Sequence, residues 1–148
     1  MERLMHAVER LLALAFIVAV CLNFANVVGR YGLGRSIPGA DEVQIYIMVW
    51  MAFLGAVLVS WRDEHLRMDV LAKFLTGKTR TTLQAVETVV LVVLAGFVLV
   101  QSWRYAAQMA QLYRRSDVAG IPMWIPHAAV ALGFGMIALI ALWPFRKK

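Results

Sequence analysis

The groups with which this chain could do chemistry are three histidines, one cysteine and nine carboxylates, and their spacing argues against catalysis. Haem held by paired axial ligands needs two of them at similar depth. His65 and His127 border apolar segments at opposite ends, and His6 lies near the start of the chain. No His, Asp or Glu cluster has metal-ligand spacing. Cys21 alone can form neither an internal disulfide nor a cysteine metal cluster, and inside its apolar run it reads as a small packing residue. No Ser-His-Asp arrangement, glycine-rich phosphate loop or pair of catalytic carboxylates is present. The sequence implies no enzyme, no cofactor and no metal.

What remains are polar side chains set in apolar sequence, where ionisable groups are costly. Asn23, Asn26 and Arg30 share a helical stripe at i, i+3 and i+7 and should face protein, either within this chain or on another. Arg30 and Glu42 border one connecting loop, and a salt bridge between them would pin two helix ends together. Glu87 is the one carboxylate well inside an apolar segment, near Gln84 and Thr88. Ion coupling is one reading. A structural pair with Arg62, His65 or Arg67 is the favoured one, because a single peripheral carboxylate makes a poor ion pathway.

The elements that must position these groups are membrane helices. The 148 residues are 61% hydrophobic, with a mean hydropathy of +0.70. Soluble domains hold about 45–50% apolar residues and could not hide this excess in one core. Spans are predicted at 11–29, 42–61, 83–103 and 123–143, each near the ~20 residues that cross a hydrocarbon core of ~30 Å. Backbone groups in lipid must be satisfied internally, so these are helices. Trp61, Trp103, Trp124 and Trp143 stand at span ends as interfacial anchors. Gly55, Gly96, Gly133 and Gly135 read as close-packing positions. A polar stripe of Gln101, Arg104, Gln108, Gln111 and Arg115 extends the third helix to about Arg115.

Residues 65–75 are too short to span. Leu66, Val70 and Phe74 share one face, with Asp69 and Lys73 opposite, which predicts a short amphipathic helix in the interface between helices 2 and 3. Arg67 falls within its apolar arc and must snorkel or find a partner. Ten Lys and Arg residues fall on the side of the two termini and the 62–80 segment, against five on the other. The positive-inside rule places both termini in the cytoplasm. The net charge of +6 then suits anionic lipid headgroups, and no basic segment suits nucleic acid. The fold class is an all-α membrane protein with four transmembrane helices in one domain.

Asn26-Val-Val-Gly-Arg30-Tyr31 precedes a short outer loop. Asp41-Glu42, then Ile45 to Ala56 with Trp50 and Gly55, then Arg62-Asp-Glu-His65-Leu-Arg67-Met-Asp69 follow, with Gly120-Ile-Pro122-Met-Trp124 before the last span. This order resembles the small, DctQ-type membrane subunit of tripartite ATP-independent periplasmic (TRAP) transporters. The resemblance implies a bacterial inner-membrane protein working with a large, DctM-type membrane subunit and a periplasmic solute-binding protein. It implies uptake of organic anions, usually carboxylates, coupled usually to sodium, with the small subunit as scaffold. Arg30, Glu42, Trp50, Gly55, His65 and Asp69 match recurrent family positions and take structural and docking roles. Gly39-Ala40 depart from the pattern, standing where an aromatic is often found before the acidic pair. The outer segments 30–42 and 104–124, with Arg114 and Arg115, are expected to bear on the periplasmic partner. Two alternatives are a small dimeric exporter, which wants a carboxylate deep in a span, and the membrane anchor of a respiratory oxidoreductase, which wants paired histidines.

Overall fold

The structure is a computed structural model, and it describes residues 2–62 and 78–142. Four helices account for most of them: α1 (Glu2–Gly32), α2 (Ala40–Trp61), α3 (Lys78–Gln111) and α4 (Trp124–Leu142). All four are long and apolar enough to cross a membrane. At ~1.5 Å per residue, the 22 residues of α2 and the 19 of α4 match the hydrocarbon thickness. The 31 residues of α1 and the 34 of α3 exceed it. Helix α1 begins well before the expected Leu11, so its charged first turns, with His6, Glu9 and Arg10, are helical too. The predicted interfacial helix at 65–75, with His65, Arg67 and Asp69, lies outside the described residues.

The extensive helix seams are α1 on α2, α2 on α4 and α4 on α3. The helices therefore stand in an open row, α1–α2–α4–α3, in which the last helix of the chain separates the second from the third. A middle helix in such a row needs two packing faces, and α4 has them. A Cβ on Gly133 would sit 2.8 Å from Phe53 Cβ of α2, and one on Gly135 would sit 3.5 Å from Leu99 Cδ1 of α3. Two residues along a helix turn about 200°, so these glycines serve opposite neighbours. The Phe53 and Phe134 rings add a tilted contact at 5.9 Å. Gly55 and Gly96, expected to be close-packed, have nothing within 4 Å of an added Cβ. They face outward because the row leaves those sides of α2 and α3 uncovered.

At the end bearing the N-terminus, Met5 of α1, Val57 of α2 and Ile137 of α4 form a buried cluster, with Leu91 of α3 and Trp61 packed against it. Val57 is fully buried. Trp61 is thus partly a core residue, whereas Trp103 and Trp124 are exposed as interfacial anchors are. Cys21, expected to pack inside, is exposed on α1. Large apolar side chains stay exposed along α1 (Leu14, Ile17, Phe24) and α3 (Val89, Val93, Phe97). In lipid these exposures cost nothing, because the solvent is as apolar as the side chains.

Helix α3 stops at Gln111 rather than running to Arg115. Tyr113 takes a left-handed φ of 49°. Its amide donates to the Ala110 carbonyl, and the Arg114 amide donates back to Met109. This paired pattern with a left-handed residue closes a helix as a Schellman motif, usually with glycine in the left-handed place. The tyrosine hides the stop signal from sequence reading.

Candidate functional site

The polar chemistry gathers at the start of α2. Gly39 precedes the helix with φ 78°, a left-handed conformation that turns the chain out of the Ile37-Pro38 segment. Asp41 and Glu42 then occupy the first turn, where carboxylates complement the helix dipole. Consecutive helical residues diverge by about 100°, so the two carboxylates reach different partners.

Asp41 faces α1. Its Oδ1 accepts a 3.0 Å hydrogen bond from Asn26 Nδ2, and its Oδ2 lies 3.5 Å from Arg30 Nη2. The other side of the Asn26 amide, Oδ1, accepts the Ile37 backbone N–H at 3.0 Å. One buried amide, 6% exposed, thereby joins α1, the loop and α2. One turn deeper, Asn23 Nδ2 donates to Gln44 Oε1 at 3.2 Å. The loop folds tightly because the Gly29 carbonyl accepts from both Leu33 and Arg35, and a Cβ on Gly29 would lie 2.7 Å from the Arg35 carbonyl oxygen. In the structure Asn23, Asn26 and Arg30 all meet side chains of α2 along the α1–α2 seam.

Glu42 faces the other way. Its carboxylate accepts the Ala119 N–H at 2.7 Å and the Val118 N–H at 3.2 Å. The expected Arg30–Glu42 pair is therefore replaced by Arg30–Asp41, and Glu42 holds the 112–123 loop through its backbone. That loop is closed on itself: Ser116 donates to the Ile121 carbonyl at 2.8 Å, Ile121 donates to Ser116 Oγ at 3.1 Å, and Arg115 bridges Pro122. Tyr46, one turn along from Glu42, donates its hydroxyl to Met123 Sδ at 3.4 Å. The Gly39-Ala40 departure now has a reason. A Cβ on Gly39 would sit 2.8 Å from Ala119 Cβ, and Ala40 is buried. An aromatic side chain on Gly39 would force the loop off α2.

At the opposite end, Arg62 Nη2 pairs with Glu9 Oε1 at 2.7 Å, and His6 lies 3.6 Å from the same carboxylate. Arg62, one of the three candidate partners of Glu87, thus ties α2 to the early turns of α1, and the other two, His65 and Arg67, lie outside the described residues. Glu9 escaped the sequence reading because it precedes the predicted span, and the length of α1 was the missing information. Glu87 is exposed on α3. Trp50 is half-buried on α2. His127, at the start of α4, meets the Tyr105 ring edge-on at 4.7 Å, far from His6.

The arrangement is a clamp. Hydrogen bonds and ion pairs engage Asn23, Asn26, Arg30, Asp41 and Glu42 with partners inside the chain. A double-mutant cycle checks the pairing: Arg30→Ala with Asp41→Ala should be non-additive in thermal unfolding of the detergent-solubilised chain. Arg30→Ala with Glu42→Ala should add, since those side chains share no partner.

A family model described as the DctQ component of tripartite ATP-independent periplasmic transporters matches residues 17–146. A Haemophilus influenzae protein whose name places it among TRAP transporter small permeases is 25% identical over 146 residues, covering 96% of this chain and 89% of that protein. The ectoine TRAP transporter small permease protein TeaB of Halomonas elongata is 27% identical over 124 residues, 84% of this chain and 64% of that longer protein. The C4-dicarboxylate TRAP transporter small permease protein DctQ of Vibrio cholerae is 29% identical over 154 residues, 88% of this chain and 66% of that protein. A row of four membrane-spanning helices clamped at its loop end, matched along most of its length, belongs to the DctQ component family, the small permease subunits of TRAP transporters.

Proposed function

We propose that this chain is a static scaffold, on which a large DctM-type membrane subunit moves while a periplasmic solute-binding protein delivers an organic anion. The observation that carries this reading is the open row. Three seams join four helices in line, so the described residues enclose no path through the layer, and broad apolar faces of α1 and α3 stay uncovered. Gly55 has open space above it, a position where a helix of another chain can approach closely. The names of two relatives, one for ectoine and one for C4-dicarboxylates, support a small organic solute. A carboxylate substrate and sodium coupling are the form of this proposal for the present chain, with both sites on the large subunit and no enzymatic activity in the small one.

The charge count supports an inner-membrane orientation with both termini cytoplasmic. The clamp then lies on the periplasmic side. Around it Tyr31, Leu33, Tyr113 and Val118 are exposed beside Arg35, Arg114 and Arg115, a mixed apolar and basic rim suited to the binding protein.

Proteoliposomes test the scaffold role. The chain alone should accumulate no substrate, and adding the large subunit and the binding protein should produce ion-driven uptake. Gly55→Leu should leave the melting temperature of the isolated chain unchanged or raised, as a helix former replaces glycine in open space, and reduce co-purification of the large subunit. Uptake by the chain alone would exclude the scaffold role.

A further inference from the structure

Between the last turns of α3 and the start of α4 lies an open cleft of about 480 Å³. Its walls are Gln101, Arg104, Tyr105 and Gln108 of α3, at i, i+3, i+4 and i+7, with His127 of α4. The edge-on Tyr105–His127 contact sets its back wall. Arg104 is the single charged group in the lining, and no carboxylate lines the cleft. Among the described residues Arg104 makes no ion pair. The clamp leaves this cleft unused.

We propose that the cleft binds the phosphate of a phospholipid headgroup from the leaflet at this end of the helices. The depth is right for it: Trp103, 63% exposed, precedes Arg104, and exposed Trp124 starts α4, so aromatic anchors mark the headgroup level here. The surface below is right as well. Phe97, Val93 and Val100 are exposed on α3 beneath the cleft and offer an apolar track for acyl chains. A guanidinium presents a planar fork of donors that matches a phosphate, and Gln101 and Gln108, one turn to either side, supply further amide donors. An unpaired arginine at the membrane border has its nearest source of counter-charge in the lipid itself. The site lies at the loop end, away from the basic clusters of the termini.

Native mass spectrometry of the full chain, released from detergent micelles, tests the site with four probes: dioleoyl phosphatidylglycerol, dioleoyl phosphatidylethanolamine, dioleoylglycerol and inorganic phosphate. Both phospholipids should stay bound, and dioleoylglycerol, which lacks the phosphate, should not. Arg104→Gln should lower phosphatidylglycerol retention about fivefold, the scale of one basic group at an anionic lipid surface. Arg104→Lys should recover most of it, and Arg114→Gln, outside the cleft, should leave it unchanged. Unchanged retention in Arg104→Gln, or equal retention of dioleoylglycerol, would overturn the proposal. Displacement of the lipid by excess inorganic phosphate would make the cleft a soluble-anion site. Loss of the Arg104-dependent lipid on adding the large subunit would assign Arg104 to an acidic side chain of that partner, and either result also refutes it.

Discussion

Gly133→Val should separate α2 from α4. The first added atom would lie 2.8 Å from Phe53 Cβ, and that atom is fixed to its backbone and cannot rotate aside. The helices must therefore move apart, which also loosens the Phe53–Phe134 contact. Overpacking of a filled seam costs about 1–3 kcal/mol, and the branched valine belongs at the upper end. Gly135→Ala is the matched control. Its new atom would meet Leu99 Cδ1 at 3.5 Å, an ordinary contact with the tip of a flexible side chain. That variant should be neutral or gain up to about 1 kcal/mol from helix propensity. Thermal unfolding in detergent separates the two outcomes. Because α4 is the only extensive link between α2 and α3 among the described residues, Gly133→Val should also detach α1 and α2 from α3 and α4. Cross-linking of cysteines placed across the α2–α4 seam would report that step.

Asn26→Ala should free the loop end of α1. The substitution leaves the Ile37 N–H without its acceptor and Asp41 without its closest donor, in a place where Asn26 is almost fully buried. Leaving buried partners unsatisfied costs about 1–3 kcal/mol, far more than the net worth of the same bonds made against water. Asn26→Asp should also destabilise, because it sets a second carboxylate against Asp41. Combining it with Asp41→Asn restores one donor and one acceptor across the seam, and about half the loss should return. Failure of the double variant to exceed Asn26→Asp in unfolding midpoint would show that Asn26 acts by packing alone. Amide exchange at Ile37 should rise in Asn26→Ala and stay unchanged in Glu42→Ala, since Glu42 holds the other loop.

Four spans were legible because lipid imposes a length and a composition that a linear string displays. The Asn23–Asn26–Arg30 stripe was legible for a similar reason: helical spacing puts the three on one face whatever lies opposite. The choice between Asp41 and Glu42 was not. Adjacent carboxylates point about 100° apart, and which one meets Arg30 depends on how α2 is turned against α1. The glycines divide in the same way. All four carry the same signal, yet only Gly133 and Gly135 meet a neighbour in the row.

By itself, then, the sequence determined the four membrane-spanning helices and the family pattern, since each depends on residue type at fixed spacing along one chain. Tertiary structure decided the order α1–α2–α4–α3, the engagement of Glu42 with the 112–123 loop, the Arg62–Glu9 tie and the cleft beside Arg104. In lipid, burial no longer tells a helix which face must turn inward. Small residues and a few hydrogen bonds settle that choice, and they do so only once their partners from distant parts of the chain are beside them.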